Sequence, residues 1–145
     1  MFKRILIPTD GSPASQRAIL AGVELARETG AEVIGLTVVP SFHTLSLDPE
    51  MVETTPEHYT QEAAQRARKI LADVEQAANE TGVRASVEQC IGDDPYESII
   101  NIARDRNCDL ILMASHGRKG IKGMLLGSET QKVLVHSAIP VLVYR

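Results

Sequence analysis

The sequence predicts an α/β fold: a doubly wound, parallel five-stranded sheet with helices on both faces. Two observations carry that expectation. Short apolar, β-branched runs alternate with longer segments of helical period in the order β-α-β-α-β-α-β-α-β, and strands separated by helices pair in parallel through right-handed crossovers. The chain has 145 residues, the size of one ordinary domain. A domain of this length buries roughly 68–70% of the surface of its unfolded chain, so its core needs no disulfide or metal. The expected organisation is a single domain over residues 1–145, without repeats or low-complexity tracts.

The elements follow in order. Phe2 to Pro8 is a short apolar run closed by Pro-Thr-Asp-Gly and reads as a buried strand. Ser12-Pro13 is an N-cap followed by proline at the first helical position. Ile19, Val23 and Ala26 then recur at i, i+4 and i+7, widened by Ala18, Ala21 and Leu25, and the helix ends near Gly30. Ala31 to Val39 is a second strand. Pro40 to Thr55 has no period and two prolines, which predicts a mobile loop of the length that often serves as a functional lid. Pro56 opens a long helix with Ala63, Ala64, Ala67, Ile70, Leu71, Val74, Ala77 and Ala78 on its inner side, stopped by Gly82. Val83 to Ile91 is a more polar strand suited to a sheet edge. Asp94-Pro95 caps a third helix that buries Tyr96, Ile99, Ile100 and Ala103. Asp109 to Ala114 is a strand apolar on both faces, Ser115 to Gly127 a glycine-rich loop, Ser128 to Ser137 a short helix, and Pro140 to Tyr144 the last strand.

Composition excludes several functions. Fifteen Lys and Arg against nineteen Asp and Glu leave a formal charge of −4. That is contrary to the basic excess of a general nucleic-acid binder and to docking on anionic membranes. Aromatic residues make up only 3%, too few for base-stacking platforms. Cys90 and Cys108 have no metal or CxxC spacing and the four histidines are scattered, so neither a zinc site nor a disulfide framework is expected; both cysteines read as small core residues. The first apolar run is too short for a signal peptide and no segment has the length of a membrane span, so a cytoplasmic location is expected.

In an open parallel sheet, ligands bind outside the carboxyl ends of the strands where the strand order reverses. Two such ends carry chemistry: Pro8-Thr9-Asp10-Gly11-Ser12, and the loop from Ala114 to Ser128. The second holds His116, Arg118, Lys119 and Lys122 with no carboxylate, in an acidic chain. Its glycines allow close approach of backbone N–H groups, and Gly127-Ser128 opens a helix whose free amides and dipole favour an anion such as phosphate. Asp10 reads as a ribose or metal-water ligand, or as a turn residue bonding its own backbone. Ser12 reads as a cap, Ser128 as cap and phosphate contact, and His116 as a solvated loop residue. No GxxxxGK[ST] or GxGxxG is present, and a triad of Asp10, Ser12 and His116 lacks a nucleophile elbow. No catalytic residue and no metal ligand is assigned.

Taken together, ILIPTDGS, VIGLTVVP, ASHGRKGIKGMLLGS and the terminal IPVLVYR resemble the universal stress protein family from end to end. The family's nucleotide pattern is glycine, two residues, glycine, nine residues, then glycine followed by Ser or Thr. Gly117 and Gly127 have the nine-residue spacing and Ser128 follows, while Ala114 stands where the first glycine would be. The resemblance implies a strand order of 3-2-1-4-5. It implies that Pro8, Thr9 and Asp10 line the adenosine end, that Val38 offers backbone contacts to adenine, and that Met113 packs near it. Gly117, Gly127, Ser128, Glu129 and Thr130 would surround ribose and phosphates, with Glu129 fitting beside a triphosphate only where it points away or meets a metal ion. The implied ligand is ATP, with or without Mg2+. The implied assembly is a homodimer paired through Val141, Leu142 and Val143 of the last strand, acting in a stress or regulatory role with an unidentified protein partner. Hydrolysis would be slow at most. A dimeric interaction module without nucleotide, suggested by Ala114, and a weak ATPase are the alternatives.

Overall fold

The computed structural model describes residues 1–41, 55–118 and 125–145. In chain order these form β1 (Arg4–Pro8), α1 (Pro13–Thr29), β2 (Glu32–Val39), α2 (Pro56–Thr81), β3 (Ala85–Ile91), α3 (Pro95–Asp105), β4 (Leu110–Ala114), α4 (Ser128–His136) and β5 (Val141–Tyr144). The strands make one parallel sheet in the order β3-β2-β1-β4-β5, which is the expected 3-2-1-4-5. The expected loop at 40–55 lies mostly outside the described residues, as do Lys119 and Lys122.

Strand alternation sorts the core into two layers. Ile5, Ile7, Val33, Leu110, Leu112 and Ala114 pack with Ala18, Ile19, Val23 and Ala26 of α1 and with Val74 and Ala77 of α2. Leu6, Ile34, Leu36, Ile111 and Met113 pack with Ile99 and Ala103 of α3, Cys108, and Val133 of α4. β1 is therefore buried on both faces, as a central parallel strand must be. The register keeps like with like: Ile5 stands beside Val33 and Leu110, and Leu6 beside Ile34 and Ile111.

Local signals set the helix ends. The Ser12 hydroxyl accepts from the Ser15 amide at 3.2 Å, and Thr55 does the same for His58 at 3.1 Å ahead of Pro56. α1 and α2 both end at left-handed glycines, Gly30 and Gly82.

The differences from expectation have physical causes. The first and fourth strands begin at Arg4 and Leu110 rather than Phe2 and Asp109. The Asp109 carboxylate accepts the backbone amides of Lys3 (2.8 Å) and Arg4 (3.1 Å), beside the Asp109 amide's own bond to the Arg4 carbonyl at 3.0 Å, so a side chain takes the amides at the start of β1. On α2, Ala64 and Ile70 are only half-buried while Tyr59, absent from the expected row, is buried. Tyr96 and Ile100 of α3 are likewise half-buried. Asp94 occupies the N-cap position of α3 but makes no side-chain cap bond. The Tyr96 amide is instead taken by Glu129 of α4, at 2.9 Å. Cys108 is buried and Cys90 half-buried, neither in a disulfide.

Candidate functional site

Both loops singled out by the sequence lie at the carboxyl ends of adjacent strands, β1 and β4. Asp10 connects them. Its Oδ1 accepts the Ser12 amide (2.9 Å) and the Ser15 hydroxyl (2.7 Å), and its Oδ2 accepts the Arg118 amide (2.9 Å). Burial works against the Asp10 charge, but these hydrogen bonds outweigh it and hold its pKa below the ordinary carboxylate value. Thr9 is buried, and its amide donates to the Leu36 carbonyl at 2.8 Å, fixing the end of β1 against β2.

The two glycines of the nine-residue spacing each have a packing reason. A Cβ at Gly117 would collide with Asp10 Oδ2. A Cβ at Gly127 would stand 3.2 Å from His116 Cα and 3.4 Å from the Ser115 carbonyl oxygen, where the Gly127 amide already donates to that oxygen at 2.6 Å. The described ends of the loop, Ser115 and His116 on one side and Gly127 on the other, are thus in contact where α4 begins.

At that start the structure corrects one expectation. Gly127, not Ser128, is the N-cap; Ser128 is the first helical residue, is exposed, and makes no cap bond. The first turn's backbone bond runs from the Gln131 amide to the Gly127 carbonyl at 3.0 Å. The amides of Ser128, Glu129 and Thr130 precede it, at the positive end of the helix dipole. Glu129 points away from this end. One oxygen accepts the Tyr96 amide and the other lies 3.3 Å from Lys132 Nζ. Thr130 is buried, with its hydroxyl donating to the Ala114 carbonyl at 3.0 Å.

Met113 and Ala114 are both buried, on opposite faces of the sheet: Met113 in the layer under α3 and α4, Ala114 in the layer under α1. The methyl group of Ala114 therefore fills core. His116 Nδ1 pairs with its neighbour's hydroxyl, Ser115 Oγ, at 3.1 Å, while Ser12 Oγ donates to Ser15 Oγ at 3.0 Å. Asp10, Ser12 and His116 are thus not wired as a triad. Burial above all pushes the Cys108 thiol up to about 11, so it is no nucleophile.

A cleft of about 380 Å³ opens beside Asp10. Asp10, Val38, Pro40 and Arg118 line one side, and α2 forms the other through Ala63, Arg66, Ala67, Lys69 and Ile70. Of the expected site residues, Asp10 and Val38 reach this cleft. Gly117, Gly127 and Ser128 belong to the adjoining loop and helix start. The α2 wall was not anticipated. Its one sequence signal is the pair of alanines a turn apart, Ala63 and Ala67, flanked by Arg66 and Lys69. Tyr59 braces the rim by donating its hydroxyl to the Pro40 carbonyl at 2.8 Å.

The cations of the lining, Arg66, Lys69 and Arg118, suit a phosphorylated ligand. Among the described residues no group of three or more His, Cys, Asp or Glu could hold a metal ion. A larger hollow, about 450 Å³, lies at the amino ends of the strands, between Lys3, Arg27 and Arg84. It adjoins the carbonyl ends of α1 and α2, whose dipoles repel anions, and Arg27 is already paired with Glu24.

Comparison with known proteins agrees with this architecture. Universal stress protein YxiE of Bacillus subtilis is 34% identical over 149 residues, with all of both chains covered. The solved structure of protein MJ0577, from Methanocaldococcus jannaschii, superposes with a TM-score of 0.76 at 33% identity, covering 99% of this chain and 95% of that one. Two more distant structures share the fold. A universal stress protein in complex with cAMP has a TM-score of 0.74 at 21% identity, covering 99% and 97% of the two chains. One from Archaeoglobus fulgidus in complex with dAMP has 0.67 at 17%, covering 99% and 98%. The model of the universal stress protein family matches residues 1–145, and the chain belongs to that family.

Proposed function

We propose that the chain binds an adenine nucleotide, with ATP as its ligand and Mg2+ riding on the phosphates, in the cleft beside Asp10. The carrying observation is the junction of the two strand-end loops. Asp10 holds the Arg118 amide, Gly117 lies against its carboxylate, and the start of α4 follows at Gly127 and Ser128. That junction sits between β1, whose chain continues to β2 on one side, and β4, whose chain continues to β5 on the other, the place where open parallel sheets take ligands. In this reading Pro8, Thr9, Asp10 and Val38 contact the nucleoside, and Gly117, Gly127 and Ser128 approach the phosphates. Met113, Ala114 and Thr130 support the loop from beneath. Relatives of this fold solved with cAMP and dAMP lend the reading support.

The chain then acts as a cytoplasmic regulatory protein and a homodimer. β5 is a sheet edge with Leu142 and Tyr144 exposed at 37% and 39%, and an unpaired apolar edge invites a second copy. The test of the ligand is to denature freshly purified protein and identify what it releases by mass spectrometry, then to melt the protein with Mg-ATP. A ligand at about 100 times its Kd adds roughly 2.7 kcal/mol of stability. Adenine nucleotide in the extract, or a clear upward shift, supports the proposal. No nucleotide and no shift at millimolar Mg-ATP sinks it in favour of an interaction module without nucleotide. Ala114, the residue that suggests that alternative, has its methyl in the α1 core layer.

A further inference from the structure

Helix α2 places Arg66 and Lys69 on the wall of the cleft, three residues apart and hence on one side of the helix. Among the described residues neither side chain takes part in an ion pair. Arg118 faces them from the glycine loop. A Cβ built on Gly11 would lie 3.1 Å from an Arg118 guanidinium nitrogen and 2.9 Å from Ile70 Cγ1, so loop and helix converge over the first turn. Asp10, the single carboxylate of the wall among the described residues, has both oxygens engaged by Ser12, Ser15 and the Arg118 backbone. Among the described residues the cleft therefore carries three cations against one carboxylate, within a chain whose formal charge is −4. Cations gathered around a concave site repel one another until an anion neutralises them, and such a site concentrates anionic ligands.

We propose that Arg66 and Lys69, with Arg118, bind the polyphosphate part of the ligand, so that the cleft selects nucleoside polyphosphates over nucleosides and monophosphates. This rests on the adenine-nucleotide reading and names the part of the ligand that α2 recognises. Arginine takes phosphate oxygens in a two-pronged fashion and lysine as a point charge, and hydrogen bonds to ionised groups are the strong ones.

The test is calorimetric titration of ATP, AMP, adenosine and inorganic tripolyphosphate into nucleotide-free protein, comparing the parent with an Arg66→Gln/Lys69→Gln double variant. Both positions are exposed, so the double variant should melt with the parent. The expected result is a loss of about tenfold or more in affinity for ATP and tripolyphosphate, with adenosine unchanged. An Arg66→Lys/Lys69→Arg variant should recover most of it. ATP binding that is equal in parent and double variant overturns the proposal while leaving the nucleotide reading intact. An equal loss for adenosine overturns it too, by showing that the two residues only shape the helix. A parent that binds tripolyphosphate through these residues but no adenine compound supports the anion wall and defeats the nucleotide reading.

Discussion

Asp10 joins two loops that are 108 residues apart in sequence, its carboxylate accepting from Ser12, Ser15 and Arg118. Replacing it by Asn removes an ionised acceptor from Ser12, Ser15 and Arg118 and is expected to cost about 1–3 kcal/mol. The pH dependence has a definite sign. Burial raises the Asp10 pKa, the hydrogen bonds from Ser12, Ser15 and Arg118 lower it more, and the native value ends below the ordinary one. Its stabilisation is then complete above the ordinary carboxylate range and is lost as the pH falls through the native value. Denaturation of parent and Asp10→Asn from about pH 6 to about pH 3 should show the stability gap closing; a constant gap would mean that folding does not shift the Asp10 pKa. Gly117→Ala forces a methyl onto Asp10 Oδ2. Overpacking of this kind costs about 1–3 kcal/mol, and ATP affinity should fall with it, as a melt and a titration would show. At this scale the sequence was legible where a residue acts through its own neighbours, as with Ser12 and its Pro13. It was not legible where the partner is remote, as with Asp10 and Arg118.

Among the elements, α4 does two jobs through successive residues. Its first turn starts at Gly127 without a side-chain cap, while Glu129 reaches back to cap α3 at Tyr96. The sequence offers Asp94 for that cap, by position and residue type, and nothing in it shows that a carboxylate from another helix takes the amide. Glu129→Ala should therefore destabilise the fold by about 0.5–2 kcal/mol, the range of a lost helix cap, and leave ATP affinity unaltered. A variant that instead binds ATP more tightly would place Glu129 beside the phosphates. The α2 wall escaped notice for a related reason. Helical period identifies the row that faces the core, and Ala63 and Ala67 fit that row. Whether such small residues meet a strand or leave a hollow depends on how far the sheet extends beneath them.

For the whole molecule, the alternation of apolar runs and helical segments specified the parallel sheet. The strand order itself came from resemblance, because period alone does not order strands. The structure bears that order out. Its two edges differ: β3 is half-polar, with Glu88 paired to Arg106 at 2.9 Å, whereas β5 and α4 expose Leu142, Tyr144 and, at 76%, Val135. A homodimer through β5 predicts that Leu142→Lys gives a monomer by sedimentation, without loss of fold. A variant that remains dimeric would move the interface elsewhere.

The central claim concerns where an adenine nucleotide binds, and the amide NMR spectrum reads it residue by residue. On titration with Mg-ATP, the account predicts saturable shifts at Asp10, Val38, Arg118 and Gly127 through Thr130, and on α2 around Arg66 and Lys69. Silence at those amides, or shifts confined to Lys3, Arg27 and Arg84 at the opposite end of the sheet, would contradict it.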